Sequence, residues 1–342
     1  MKKRTKFKKV LVQSVGRSKL FSLCARLAEN LDSGNRYLRV LTYHRVDHID
    51  ARPDLDPALI SATPEQFSRQ IEWLNKDYNV VSLETVIEVI RGNERLPERA
   101  VLVTFDDAYL DFYTNAWPAL QSKQVPVALF VPTAYPDNPR QVFWWDRLHH
   151  SIMFASGVRE LKTPFGVFQI GEEVDRAPIL RELKQNLKTL PWAQLCETVD
   201  EISNACDCGT PAPSVMSWDQ LREVSMTQVA LVPHTHTHPL LDRLPLDDVK
   251  PEIMKSRDVL RFETGHHHPA VAYPAGQFNM DVVNKVVNAQ FEVGFTTVRG
   301  INRLDRVNPL LLNRINVGRA TPDAMIRFQL TTISNSVQKL FR

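Results

Sequence analysis

Residues 100–109 read Ala-Val-Leu-Val-Thr-Phe-Asp-Asp-Ala-Tyr. Six residues of apolar, strand-forming character run directly into two adjacent carboxylates, Asp106 and Asp107. Within a strand, neighbouring side chains point to opposite faces, so the two acids would part company. On the turn that leaves the strand, both can approach one site. Burying two unpaired carboxylates is costly, so a cation or a proton is expected beside them. A local reading competes: an Asp pair capping a helix that starts near Tyr109.

The same grammar repeats along the chain. Short apolar runs fall at Tyr37–Tyr43, Ala100–Phe105, Val127–Val131, Val229–Val232, Ala270–Tyr273, Glu292–Val298 and Arg314–Val317. Helical patterns lie between them, at 64–76, 83–92, 109–123, 218–226, 246–261 and 280–289. Strands alternating with helices predict a parallel sheet covered by helices, and seven runs suffice for a barrel. In α/β barrels the chemistry sits at the C-terminal strand ends. Residues 134–215, roughly, break the alternation. They hold an aromatic cluster (Phe143, Trp144, Trp145) and helix-like stretches at 146–156 and 176–190. A structureless loop of that length is rare in a compact domain, so an insertion with its own helices is expected, on the active-site side.

The fourth strand end reads Pro233-His234-Thr235-His236-Thr237-His238-Pro239. His234 and His238 have i,i+4 spacing, which on a helical turn aims both imidazoles at one point and His236 elsewhere. Two neutral imidazoles plus a carboxylate make a three-ligand site with open positions, suited to zinc or another divalent metal. His266-His267-His268 lies in a polar loop and reads as solvated. His149-His150 sits in the insertion and reads as structural.

Composition narrows the class. The 342 residues are 43% hydrophobic and 24% charged, ordinary for a globular chain. The net charge of +3 is too small for a nucleic-acid binder. The basic excess is confined to Met1–Val10, with Lys2, Lys3, Arg4, Lys6, Lys8 and Lys9 and no acid. Leu20, Leu23, Cys24, Leu27 and Leu31 follow at helical spacing. Residues 1–35 therefore form a basic amphipathic segment, and residues 1–32 are a candidate for peripheral membrane contact. The alternative is a helix packed on the main domain. No apolar core of a signal peptide follows the basic start, so the expected location is cytoplasmic, at the inner membrane surface if that contact forms. The four cysteines are too few for a disulfide framework and read as reduced thiols.

These segments resemble the polysaccharide deacetylases, the NodB-homology or carbohydrate esterase 4 family. Thr104-Phe105-Asp106-Asp107-Ala108 is similar to the family's Thr-Phe-Asp-Asp-Gly motif, with Ala108 in place of Gly. His234 to His238 matches its His-Ser/Thr-x-x-His motif. Tyr273-Pro274-Ala275-Gly276 resembles the Pro-x-Gly turn of its third motif, in the form of the exopolysaccharide-type branch. Tyr43-His44-Arg45-Val46, Gly294-Phe295-Thr296-Thr297 and Arg314-Ile315-Asn316-Val317 are also familiar. The likeness spans about residues 38–318, interrupted by the insertion.

The resemblance implies an irregular (β/α)7 barrel over residues 36–330. It implies Asp107, His234 and His238 as ligands of a divalent metal, zinc by its donor set. Asp106 would be the general base that activates the metal's water. The backbone N–H of Ala275 would be an oxyanion donor, with Tyr273, His44 and Arg314 facing oxyanion or substrate; Arg314 could stabilise charge there or orient a carboxylate. The implied reaction removes acetyl from an N-acetylated sugar, in a polysaccharide or glycan precursor; in the cytoplasm the substrate would be a nucleotide sugar or a lipid-linked intermediate. Two family features are missing. The arginine that orients the base aspartate aligns with about Ala272, and the late Leu-x-His motif has no histidine here. His236, His44 or a water could supply the acid. A non-catalytic glycan-binding barrel, or a hydrolase of another C–N or O-acetyl bond, are the alternatives these departures raise.

Overall fold

The computed structural model describes residues 35–332 and 334. The basic amphipathic segment and its membrane contact thus lie outside the described residues, apart from Asn35.

Seven strands build the frame: β1 (Tyr37–Tyr43), β2 (Ala100–Phe105), β3 (Val127–Val131), β4 (Val229–Pro233), β5 (Ala270–Ala272), β6 (Val293–Phe295) and β7 (Ile315–Asn316). They coincide with the seven apolar runs. All their ladders are parallel. β7, β1, β2, β3 and β4 pair in that order, and β5 pairs with β6. A bridge between Phe295 and Leu312 links β6 to the segment entering β7. β4 and β5 pack side by side without a ladder among the described residues. The result is an irregular barrel with one open seam. A short strand, Asn302–Arg303, adds antiparallel to the start of β1.

Period-two alternation assigns the two faces of each strand. Leu38, Val40, Leu102, Ala128, Phe130, Val232, Ala272 and Phe295 fill the interior. Val101, Val103 and Phe105 point outward, against Phe67, Ile71 and Leu74 of the helix Pro64–Asp77. Both faces of β2 are therefore buried, which explains its apolar sequence, broken only by Thr104, whose hydroxyl donates to the Leu41 carbonyl. Asp106 continues the inward series of Leu102 and Thr104, so it emerges at the top of the barrel interior.

The insertion comprises helices Trp144–Phe154, Arg176–Leu187 and Trp192–Cys206, with a hairpin of Glu160–Thr163 and Gly166–Gln169. It has its own core, including Leu148, Ile152, Leu183, Leu195 and Val199. The third helix and the hairpin were not foreseen. Leu195, Val199, Ile202 and Cys206 do recur at helical spacing and are all buried. Among the described residues, Cys196, Cys206 and Cys208 are free thiols, as composition implied.

Candidate active site

Three strand ends meet above the barrel, and their backbone is held in unusual conformations. Ten non-glycine residues have positive φ among the described residues, and five belong to these turns. Asp107 (φ 74°) and Ala108 (φ 50°) follow β2, Thr235 (64°) and His238 (57°) follow β4, and Ala275 (52°) follows β5. Each left-handed alanine costs about 1 kcal/mol relative to glycine, and such strain gathers at functional sites. The backbone at Ala108 gives the physical reason why a glycine suits that position. Gly276 is stricter: a Cβ there would lie 2.0 Å from Thr297 Oγ1.

Asp107, His234 and His238 are buried and offer one ligand atom each, all within 4.8 Å of one another. Asp107 Oδ1 is 3.5 Å from His234 Nε2 and 3.2 Å from His238 Nε2. The convergence does not come from a helical turn. Residues 234–238 form an irregular bend, and the left-handed Thr235 and His238 fold the imidazoles together. His234 Nδ1 donates to the Ala272 carbonyl at 2.9 Å, across the β4–β5 seam. That bond fixes its tautomer and leaves the Nε2 lone pair facing the site. Burial, then the neighbouring His238, pushes the His234 imidazole down to about 4, so it is neutral at working pH. Asp107 is pushed up by burial, but its contacts with His238, together with the nearby His44 and His234, outweigh that and hold it below the ordinary carboxylate value. Asp107 Oδ1 has no hydrogen-bond partner. Two imidazole nitrogens 3.2 Å apart beside an unpartnered carboxylate oxygen form a donor set that a divalent cation satisfies.

Asp106 is held by Arg314. Nη1 and Nη2 reach its two oxygens at 2.7 and 2.8 Å, and Nε donates to the Thr296 carbonyl at 2.7 Å. Burial pushes the Asp106 carboxyl up, but the Arg314 charge, the neighbouring His234 and His44 and the Arg314 hydrogen bonds together more than offset this and leave it well below the usual range. An arginine thus reaches Asp106 from the residue before β7, not from the third motif. Arg314 is 1% exposed and fully engaged, so it positions Asp106 and does not face substrate. His44 Nε2 lies 3.8 Å from Asp106 Oδ2 and is partly exposed. Ala275 sits exposed on its turn. Tyr273 corrects the expectation: its ring is fully buried among Val271, Val282 and Phe291, and its hydroxyl donates to the Leu310 carbonyl at 3.0 Å. Its side chain packs the outer layer and cannot touch substrate.

His236 turns away from the trio, its Nδ1 2.9 Å from Thr133 Oγ1. His149 is buried with Nε2 3.0 Å from the Pro53 carbonyl, while His266 and His267 are exposed.

The sequence did not announce how the insertion joins the site. Trp144 lies in the insertion core, but the Trp145 ring lies 5.0 Å from that of His238, edge-on. Trp145 Nε1 donates to Tyr109 Oη at 2.9 Å. Tyr109 in turn donates to Asp146 Oδ2 at 2.7 Å, and Asp146 Oδ1 accepts the Asp56 N–H at 2.8 Å. Burial pushes the Asp146 carboxyl up to about 7. Its folded-state value exceeds the unfolded one, so the fold favours its protonated form. Stability is then lost as pH rises from about 4 to 7, where the unfolded chain has already released the proton. Asp146→Asn is expected to gain on wild type across that window by a few kcal/mol, of the order of ~3 pK units at 1.36 kcal/mol each. Thermal unfolding at pH 4.5 and 7.5 checks this; a Tm difference that is the same at both would contradict it.

The sequence profile described as polysaccharide deacetylase matches residues 93–294, more than half of the chain. A relative from Escherichia coli K12, poly-beta-1,6-N-acetyl-D-glucosamine N-deacetylase, is 35% identical over 119 residues. Those residues are 34% of this chain and 17% of that protein. The enzyme of the same name from Staphylococcus epidermidis is 31% identical over 102 residues, 27% of this chain and 35% of its own length. Among solved structures, Streptococcus pyogenes deacetylase PplD in complex with acetate aligns with TM-score 0.59 and 19% identity, over 86% of this chain and 98% of that one. IcaB from Ammonifex degensii aligns with TM-score 0.55 and 18% identity, over 86% and 96%. These two likenesses are of fold. Profile, strand order and motif placement agree: the chain belongs to the polysaccharide deacetylase family.

Proposed function

We propose that the chain is a metal-dependent N-deacetylase acting on an N-acetylated glycan, with β-1,6-linked N-acetylglucosamine polymer as the leading substrate. The observation that carries this reading is the Arg314-held Asp106 beside the buried Asp107, His234 and His238. The polymer is drawn from the relatives, which are named for it.

A divalent ion held by Asp107, His234 and His238, zinc by the donor set, would acidify a water and polarise the acetamide carbonyl. Asp106, ionised and fixed by Arg314, accepts the proton of the attacking water. The backbone N–H of Ala275, presented by its left-handed turn, donates to the oxyanion of the tetrahedral intermediate. Collapse breaks the C–N bond, releasing acetate and the sugar amine. His44 gives that amine its proton. It is the imidazole outside the metal trio that lies beside Asp106.

His44→Gln is expected to lower kcat on the acetamide by about 10²-fold or more. On an aryl acetate, whose leaving group needs no proton, the loss should shrink to a few fold. Equal losses on both substrates would remove His44 from the acid role. Substrate class is tested by acetate release from N-acetylated and O-acetylated glycans in parallel. Release from the N-acetylated polymer supports the reading; release from the O-acetylated one alone overturns it.

We further propose that residues 1–32 bring the chain to the inner, anionic membrane surface, where a lipid-linked N-acetylated sugar would be a second substrate form. Deleting them should abolish sedimentation with anionic vesicles. Sedimentation unchanged by the deletion would refute the contact.

A further inference from the structure

The two imidazoles of the trio are held by different means. His234 has a hydrogen bond from Nδ1 to a backbone carbonyl, the usual way a ligand ring is oriented. His238 Nδ1 is buried with no hydrogen-bond partner among the described residues. Its ring is instead gripped by aromatic edges. Trp145 lies at 5.0 Å and 69°, and Phe143 at 5.6 Å and 80°. Both come from the insertion.

Those rings are fixed in turn. Tyr135, Phe143 and Trp145 form a continuous stack, with centroids 4.2 and 4.5 Å apart and planes within 22° and 13°. The Tyr135 hydroxyl donates to the Thr237 carbonyl, one residue before His238, at 3.3 Å. At the other end of the stack, the Trp145 indole N–H is bonded to Tyr109, which the buried Asp146 holds. Tyr109 follows the Asp106–Asp107 turn by two residues. The stack therefore spans the β2 and β4 strand ends and meets the ring that lacks a polar anchor.

We propose that Trp145 is a positioning residue for His238, so that the insertion sets the affinity and geometry of the metal site. This rests on Asp107, His234 and His238 binding a divalent ion. The left-handed backbone at His238 strengthens the case, because a ligand in a strained turn with one free ring nitrogen has little else to define its χ angles.

The test measures zinc affinity of the full chain by competition with a chromogenic chelator. The absorption spectrum of the cobalt-substituted protein reports coordination geometry. Trp145→Ala, with its thermal transition retained, is expected to weaken zinc binding about 10- to 100-fold, the range seen when an orienting partner of a ligand is lost. Its cobalt bands should shift. Trp145→Phe keeps a ring against His238 and should stay within about threefold of wild type. If Trp145→Ala does not fold, Tyr109→Phe carries the test. It keeps every ring, frees the indole N–H and also removes the Tyr109–Asp146 hydrogen bond that anchors the stack, so at least about threefold weaker binding with shifted cobalt bands is expected. A folded Trp145→Ala, or failing that Tyr109→Phe, with wild-type affinity and spectrum overturns the proposal while leaving the metal site intact. A wild-type chain that binds neither zinc nor cobalt overturns the metal site itself, and the proposal with it.

Discussion

Asp106→Asn is expected to reduce deacetylation by about 10²- to 10⁴-fold while leaving metal content unchanged. Asparagine has nearly the same shape but cannot take a proton from water. Asp106 is not one of the three converging ligands; its two oxygens face Arg314. The variant therefore separates base from ligand. Acetate release together with elemental analysis checks it. Loss of activity with loss of metal would make Asp106 a ligand, and full activity would remove it from the chemistry.

Arg314→Met is expected to have the largest effect on stability. It leaves the Asp106 carboxylate buried without its partner, a change that typically costs about 3–5 kcal/mol. For a chain of this size, that is a fall in Tm of roughly 4–7 °C. The sign with pH follows from the direction of the Asp106 shift. Its folded-state value lies below the unfolded one, so the pair contributes stability above the unfolded value, and that contribution fades as pH falls through the folded value. The gap between wild type and variant should be full near pH 7 and narrow toward acid. The acid limb of the pH–rate profile should also move to higher pH, because Asp106 loses the charge that keeps it ionised. A variant as stable as wild type at pH 7, with an unmoved profile, would show that Arg314 does not hold the base. Lysine is not an equivalent replacement, since it cannot offer the bidentate fork that meets both oxygens.

The sequence made the frame readable because the barrel strands are buried on both faces. Ala100–Phe105 and Val127–Val131 have no polar residue facing water to blur their ends. Each strand therefore stops where polar chemistry starts, and Asp106, Asp107, His234 and His238 stand at such stops. What the sequence could not show is which side chains meet across the barrel. Arg314 lies 208 residues from Asp106 in the chain, and only closure of the ring by β7 brings it there. For that reason, the missing arginine at Ala272 looked like a defect when an arginine reaches Asp106 from the segment entering β7. Tyr273 was misjudged for a related reason. Its motif position marks the turn, but the pleat sends its ring outward into the packing between β5 and the helices. The insertion posed the reverse problem. Trp144 and Trp145 are neighbours in sequence, yet helical geometry sends one into the insertion core and the other against His238. Nothing in a single sequence distinguishes them.

The local causes are simpler. Asp107, Ala108, His238 and Ala275 take left-handed backbone conformations that glycine would adopt without strain. Their persistence means that the surrounding packing dictates the turns. The barrel interior supplies that rigidity, and the site inherits it.

The most direct test is acetate released from β-1,6-linked N-acetylglucosamine polymer by the full chain, measured as purified with zinc, after chelation, and after zinc is returned. Release with zinc, loss on chelation and recovery on return are the predicted results. No acetate from the zinc-loaded chain, or release that chelation does not diminish, would contradict the account.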